Sequence, residues 1–290
     1  MNRIGESELI LNPDGSVYHI KLRPEHIGKD IIVVGDPGRV ERISQHFDSI
    51  DVKIQNREFI THTGYYKGKK VTALATGIGT DNIDIVINEL DALVNIDLET
   101  RLPKETHTAL NIIRLGTSGA LQPDIVVDTA VMSSHGMGFD GLMNYYKTAQ
   151  GTFNDDISEA FMKHAEWLPT LPYPYVVEGS AELMRKIGGD FHVGITATAP
   201  GFYGPQGRVL RLPTAISDLN EKLETFAFNN MRVTNFEMET SALYGLSKLL
   251  GHNAVTVCAI IANRIRKEYS KDYKKTVDIL IEKILDRVTA

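Results

Sequence analysis

The chain has 290 residues, is 42% hydrophobic and 23% charged, and carries a formal net charge of −6. That balance suits one globular α/β domain spanning residues 1–290 and gives no general attraction to nucleic acid or an anionic membrane. No apolar run reaches about 18 residues and the N-terminus lacks the layout of a signal peptide, so a cytoplasmic protein is expected.

In chain order, DIIVVG (30–35) is the first strand-like run. It ends in a Gly-Asp-Pro-Gly turn, with a helix predicted to begin near Arg39. Free backbone N–H groups at Gly35, a positive helix end and Arg39 at one point suit phosphate. A Pro-Gly turn with a surface arginine is the alternative. Arg57, in NREF, is either a third cation of this kind or a surface residue. After the strand VTALAT (71–76), TGIGTDN offers Gly77 and Gly79, but Asn82 stands where GxGxxG needs its third glycine. A close-packed strand-to-helix turn therefore reads better than a dinucleotide site. Ile83, Ile87, Leu90 and Val94 then recur at helical spacing.

LNIIRLG (110–116) reads as a buried strand with Arg114 inside it, followed by a turn at Gly116, Thr117, Ser118 and Gly119. A guanidinium buried without partners is so costly that an anion must meet it. DIVVDTAVM (124–132) and FHVGITATA (191–199) are further predicted strands. Residues 133–152 and 199–213 are rich in Gly, Pro and aromatics, the composition of long loops that fold over a ligand. METSALYGLSKLLG is a predicted helix with Met238, Ala242, Leu246 and Leu249 on one face, where Met238 is simply core. AVTVCAII (254–261) is a strand holding the single cysteine, Cys258, which reads as a buried inert thiol. An amphipathic helix, DYKKTVDILIEKILDRV, closes the chain. The alternation argues α/β with a mixed or parallel sheet, and no CxxC or HExxH cluster suggests a metal.

In order, VVGDPGRV, REF, ATGIG, RLGTSGALQP, GFYGPQGR and NFEMETSALYGL resemble the signatures of the nucleoside phosphorylase family, over a span from about His19 to Arg264. The resemblance implies a single α/β domain whose central mixed β-sheet forms a distorted barrel flanked by α-helices. It also implies reversible phosphorolysis, here of uridine to uracil and α-ribose 1-phosphate. Inorganic phosphate would be the co-substrate, with no organic cofactor.

Carried over residue by residue, phosphate would meet Gly35, Arg39, Arg114 and Thr117, with Arg57 reaching in from a neighbouring subunit. The ribose would lie on Met238 and hydrogen-bond Glu239, with Glu237 lining the pocket and His19 crossing to the 5′-hydroxyl. A lone histidine is otherwise a surface or cap residue. Phe202 would stack on the base, Gln206 and Arg208 would bind its amide edge, and Ile261 and Arg264 would complete the pocket. Taken alone, that segment also reads as a structural loop. Where purine-specific relatives carry Ser-Asp, this chain has Ala262 and Asn263, and Asn263 cannot protonate a purine, so a pyrimidine is expected. Thr80, Asp81 and Asn82 depart from the bacterial pattern, leaving a monovalent cation near Glu58 open. The long segment 95–110 resembles an insert of dimeric relatives, so a homodimer with shared active sites is favoured over a hexamer. A nucleosidase and a non-catalytic nucleoside-binding protein are the rival readings.

Overall fold

Ile31, Ile32 and Val33 are fully buried, and a β-branched run covered on both faces is at home in the middle of a sheet. In the computed structural model, which describes residues 3–290, they form β1 (Asp30–Val34), followed by α1 (Gly38–Ser44). A hairpin of β2 (Ser49–Asn56) and β3 (Phe59–Tyr66) turns at Arg57 and leads to β4 (Lys69–Ala75) and α2 (Thr80–Asn95). A small ribbon, β5 (Ile96–Asp97) and β6 (Leu102–Pro103), precedes β7 (Asn111–Ala120) and β8 (Ala130–Gly138). Next come α3 (Asp155–Ala165), β9 (Tyr175–Glu178), α4 (Ala181–Ile187) and β10 (His192–Thr198). The remaining elements are α5 (Leu219–Thr225), β11 (Ala227–Phe228), β12 (Met231–Glu237), α6 (Thr240–Leu249), β13 (Asn253–Asn263), β14 (Glu268–Tyr269) and α7 (Tyr273–Thr289).

The long strand β7 organises the sheet. Its first half pairs in parallel with β1, from Asp30 opposite Asn111 to Val33 opposite Arg114. Along its length it also pairs in parallel with β13. Its last two residues leave β1 behind and pair with β12, Gly119 opposite Phe236 and Ala120 opposite Asn235. The ring β7, β13, β8, β10, β12 therefore closes on itself, while β1, β4, β3 and β2 extend outward as an open wing. This is a single α/β domain built on a closed, mixed barrel, as the resemblance implied.

Helices cover both sides. Ile83, Val86, Ile87, Leu90 and Leu93 of α2 pack into one apolar cluster with Ala242, Leu243 and Leu246 of α6. Val277, Leu280, Ile281, Ile284 and Leu285 of α7 join β1, β4 and β13 in another. Each such full burial contributes about 1.5–3 kcal/mol, so these faces fix where the helices sit.

Three expectations about elements are corrected. Gly116 to Gly119 are not a turn but the second half of β7. The strand expected over 124–132 begins only at Ala130 and runs on to Gly138, into the stretch expected to be loop. Met238 lies outside the helix, which starts at Thr240, and is half-buried at its mouth rather than core. The turn at Gly77 and Gly79 is of the expected kind: both have positive φ and lead from β4 into α2.

Candidate active site

Because β12 runs antiparallel to the far end of β7, its terminal residue Glu237 comes alongside the middle of β7, where Arg114 sits. Arg114 is buried and folds back over its own strand. A Cβ on Gly116, two residues along and on the same face, would stand 2.1 Å from Arg114 Nη1 and 2.8 Å from Cys258 Sγ. Only glycine leaves that space.

The anions that meet Arg114 within the chain are two carboxylates. Nη1 lies 3.2 Å from Glu237 Oε2, and Nη2 donates to Glu239 Oε2. The expectation that phosphate alone accounts for a buried Arg114 is thereby corrected: the chain itself supplies the counter-charge, and Nε is left buried with no partner among the described residues. Burial works against the Arg114 charge, but Glu239 and Glu237 outweigh it and hold the guanidinium above its ordinary value. Burial also pushes the Glu239 carboxyl up; Arg114 opposes the rise and the like charge of Glu237 adds to it.

Each carboxylate is fixed by backbone as well. Glu237 accepts from the N–H of Glu239 and of Thr240, both at 3.0 Å, so it caps the start of α6, and it accepts from Thr198 Oγ1 at 2.7 Å. Glu239 accepts from Gly79 N–H at 2.8 Å, a tie from the glycine turn that sequence reasoning left without a role. Cys258 lies against this cluster, and burial pushes its thiol up to about 11, consistent with an inert residue.

Arg39 is the second buried guanidinium. It donates to Leu115 O at 3.0 Å and makes no ion pair among the described residues. Burial lowers its pKa; Asp36 opposes that and the nearby Arg114 adds to it. Gly35 sits close by, where an added Cβ would lie 3.3 Å from Gly77 O. Thr117 is half-buried in β7.

The segment after β10 carries Phe202, Gln206 and Arg208. Arg208 Cζ lies 3.7 Å from the centre of the Phe202 ring, and Arg208 Nη1 donates to Gln206 Oε1 at 2.6 Å. An arginine can only donate, so the Gln206 oxygen faces Arg208 and its NH2 is the end left for other partners. Burial and the neighbouring Arg264 pull the Arg208 pKa down to about 10. Arg264 donates to Gln206 O at 3.2 Å, which joins it to this segment, and Ile261 is half-buried near the end of β13. Asn263 is used structurally: it donates to Gln122 O at 2.9 Å and Ile125 O at 2.8 Å, and accepts from the N–H of Ile265 and Arg266.

Arg57 and His19 do not hydrogen-bond to the Arg114 cluster. They meet each other's surroundings instead. Exposed Arg57 donates to Tyr18 Oη at 3.3 Å, and the Tyr18 ring stands edge-on to His19 at 4.8 Å. Glu58, beside them, accepts from Asn82 Nδ2 at 3.3 Å; within one chain this is a hydrogen-bonded pair rather than a cage of oxygens for a cation.

Two other places stand out: the first is lined largely by the stretch 199–213 that was expected to fold over a ligand, and the second was not foreseen. A groove of about 950 Å³ between Trp167, Leu171 and the segment Tyr203 to Leu212 lies behind Arg208 and is largely apolar. Asp91, His107 and His252 approach one another closely, yet His252 Nδ1 accepts from Leu110 N–H at 3.1 Å and His107 Nε2 faces Leu250 O at 2.8 Å. A neutral imidazole accepting at Nδ1 carries its proton at Nε2, so His252 offers no lone pair to a metal.

A cradle of buried arginines and carboxylates at a barrel mouth is the kind of site that binds an anion beside a polyhydroxylated ligand. Residues 29–290 match the family model described as the phosphorylase superfamily, and the chain belongs to that family. It is 31% identical to a uridine phosphorylase of Thermococcus kodakarensis, over 90% of this chain and 83% of that protein. It is 30% identical to a DeoD-type purine nucleoside phosphorylase of Clostridium perfringens, over 92% of this chain and 97% of that protein. Among solved structures, a Trypanosoma brucei nucleoside phosphorylase described as showing uridine phosphorylase activity superposes with a TM-score of 0.88 at 31% identity, covering 97% of this chain and all of that one. No helix among the described residues is long and apolar enough to cross a membrane.

Proposed function

We propose that the protein is a cytoplasmic enzyme that catalyses the reversible phosphorolysis of uridine. The observation that carries this reading is the pairing of Arg114 with Glu239 next to a second buried arginine, Arg39, that lacks a carboxylate partner. The Arg39 charge, which pairs with no carboxylate among the described residues, and the unpartnered Nε–H of Arg114 favour a phosphate, and the carboxylate beside them favours a diol.

In this reading phosphate binds against Gly35, Arg39, Arg114 and Thr117. The ribose rests on Met238 and donates its 2′- and 3′-hydroxyls to Glu239, with Glu237 fixing Arg114 and the start of α6. As the bond between uracil N1 and C1′ lengthens, positive charge grows on the sugar and is stabilised by the phosphate below it. A phosphate oxygen bonds to C1′, the electron pair of the broken bond leaves with uracil, and the proton of HPO4²⁻ ends on uracil N1. Gln206 and Arg208 stabilise the negative charge passing onto the base, while Phe202, Ile261 and Arg264 form its surroundings. Arg208 vacates the face of Phe202 when a base stacks there.

Arg57 and His19 act in this reading on the site of a neighbouring subunit, which makes a homodimer the smallest active unit. The exposure of Arg57, the half-buried place of His19 beside Tyr18, and the lack of a hydrogen bond from either to Arg114 among the described residues support that placement. Uracil release from uridine, followed by ultraviolet absorbance with and without phosphate and beside inosine, tests the proposal. Phosphate-dependent cleavage of uridine with inosine inert is expected; release without phosphate, or preferential cleavage of inosine, contradicts it.

A further inference from the structure

Glu89, on the buried side of α2, accepts three N–H groups from one short segment. Its carboxylate receives the backbone N–H of His19 at 2.9 Å, that of Ile20 at 2.8 Å, and His19 Nδ1 at 2.6 Å. From the other side, Asn56 Nδ2 donates to His19 O at 2.8 Å. The Tyr18 ring, itself held by Arg57, closes one flank of the imidazole. The histidine is therefore clamped at its backbone, at one ring edge and along one side.

An ionised carboxylate only accepts, so the ring nitrogen facing it must carry a proton. In the neutral ring this leaves Nε2 as the acceptor, and Nε2 has no hydrogen-bond partner among the described residues. We propose that Glu89 is a positioning residue: by holding His19 in the Nδ1–H form, it presents Nε2 as an acceptor for the 5′-hydroxyl of a nucleoside in the neighbouring subunit. This rests on the reading of His19 as the residue that reaches that hydroxyl. The consequence is substrate discrimination, because a 5′-deoxynucleoside has nothing to donate.

The test compares uridine with 5′-deoxyuridine in the full-length enzyme, its His19→Ala variant and its Glu89→Gln variant. A glutamine still accepts the backbone N–H groups through its oxygen but turns an N–H toward Nδ1, so the ring must move its proton to Nε2. Deleting the hydrogen bond in His19→Ala is expected to lower the ratio of kcat/KM for uridine over 5′-deoxyuridine by about five- to tenfold, and Glu89→Gln, where Nε2–H can still donate to the hydroxyl oxygen from a ring that has lost its charged clamp, lowers the ratio by a smaller factor. The ¹⁵N shifts of labelled histidine should show Nδ1–H in the native protein and Nε2–H in Glu89→Gln. Equal losses on both substrates in Glu89→Gln, or an unchanged tautomer, overturn the positioning role. A native ratio in His19→Ala instead overturns the 5′-hydroxyl reading itself, whatever Glu89 does.

Discussion

Arg114 lies over Gly116, so close that a Cβ on the glycine would stand 2.1 Å from Nη1 and 2.9 Å from Cζ. Gly116→Ala must therefore push the guanidinium off Glu237 and Glu239. The expected result is a fall in kcat/KM for phosphate of about a hundredfold, from the loss of charge-assisted bonds, with about 1–3 kcal/mol lost from overpacking. Steady-state kinetics with phosphate varied, beside urea unfolding, check both parts; native kinetics would mean that Arg114 is not held where catalysis needs it.

Glu239 is fixed by Arg114 and by the Gly79 N–H, and in the proposed reaction it accepts two ribose hydroxyls. Glu239→Gln keeps the shape but halves the acceptor capacity. A loss in kcat/KM of about 10²–10³ on uridine is expected, from charged hydrogen bonds of about 1.5–3 kcal/mol each. The loss should be smaller on 2′-deoxyuridine, which has one hydroxyl fewer; equal losses would place the carboxylate elsewhere.

Burial and the like charge of Glu237 hold the Glu239 carboxyl above its ordinary value, against the pull of Arg114. Since only the ionised form accepts both hydroxyls, activity should fall with decreasing pH before an ordinary carboxylate titrates. Glu237→Gln removes the like charge, so the Glu239 pKa falls and this acid limb moves to lower pH. The titration of phosphate itself is common to both proteins and cancels in the comparison. A limb that stays put or moves upward in the variant contradicts the assignment.

Asn263 spends both amide protons on the carbonyls of Gln122 and Ile125. Asn263→Asp restores the residue type of the purine-specific pattern but sets a carboxylate against two buried carbonyl oxygens. Inosine should remain uncleaved, and stability should drop by about 3 kcal/mol, since a buried charge replaces two satisfied donors. Gain of inosine phosphorolysis would show that this position does govern base choice.

Arg57 stands apart from Arg114 in the same chain, bonded to Tyr18 instead. If it completes the neighbour's site, Arg57→Ala and Arg114→Ala should each abolish most activity alone. Mixed subunits should recover up to half the native activity in each heterodimer, because one of its two sites then has both arginines. Failure to recover, with heterodimers verified by mass, contradicts shared sites.

Much of this was legible in the sequence because the apolar periodicities of α2 and α7, and the β-branched run of β1, are read by burial alone. The strand segments that were misread have one physical cause. Glycines in Gly-Thr-Ser-Gly and in Ser-Ser-His-Gly-Met-Gly look like turns or loop, but they mark close approaches inside strands. Gly116 clears Arg114, Gly136 lies where a Cβ would be 2.7 Å from Ser241 Cα, and Gly138 lies against Tyr175. Strand propensity is hidden wherever a helix or a guanidinium needs that space. At the site, the residue types of the cradle were legible, but its internal pairing was not. That Glu237 and Glu239 neutralise Arg114 depends on β12 bending round to β7, a contact between residues more than a hundred positions apart. Glu89 gave no signal at all, because a single glutamate on an amphipathic helix reads as solvated surface.

The most direct measurement is ³¹P NMR of the enzyme with uridine and inorganic phosphate. Phosphorolysis predicts that the inorganic phosphate signal declines as a sugar phosphate ester appears, in step with uracil and reversibly when uracil and ribose 1-phosphate are supplied. Uracil formed beside free ribose, with the phosphate signal unchanged, would contradict the account and mark the enzyme as a hydrolase.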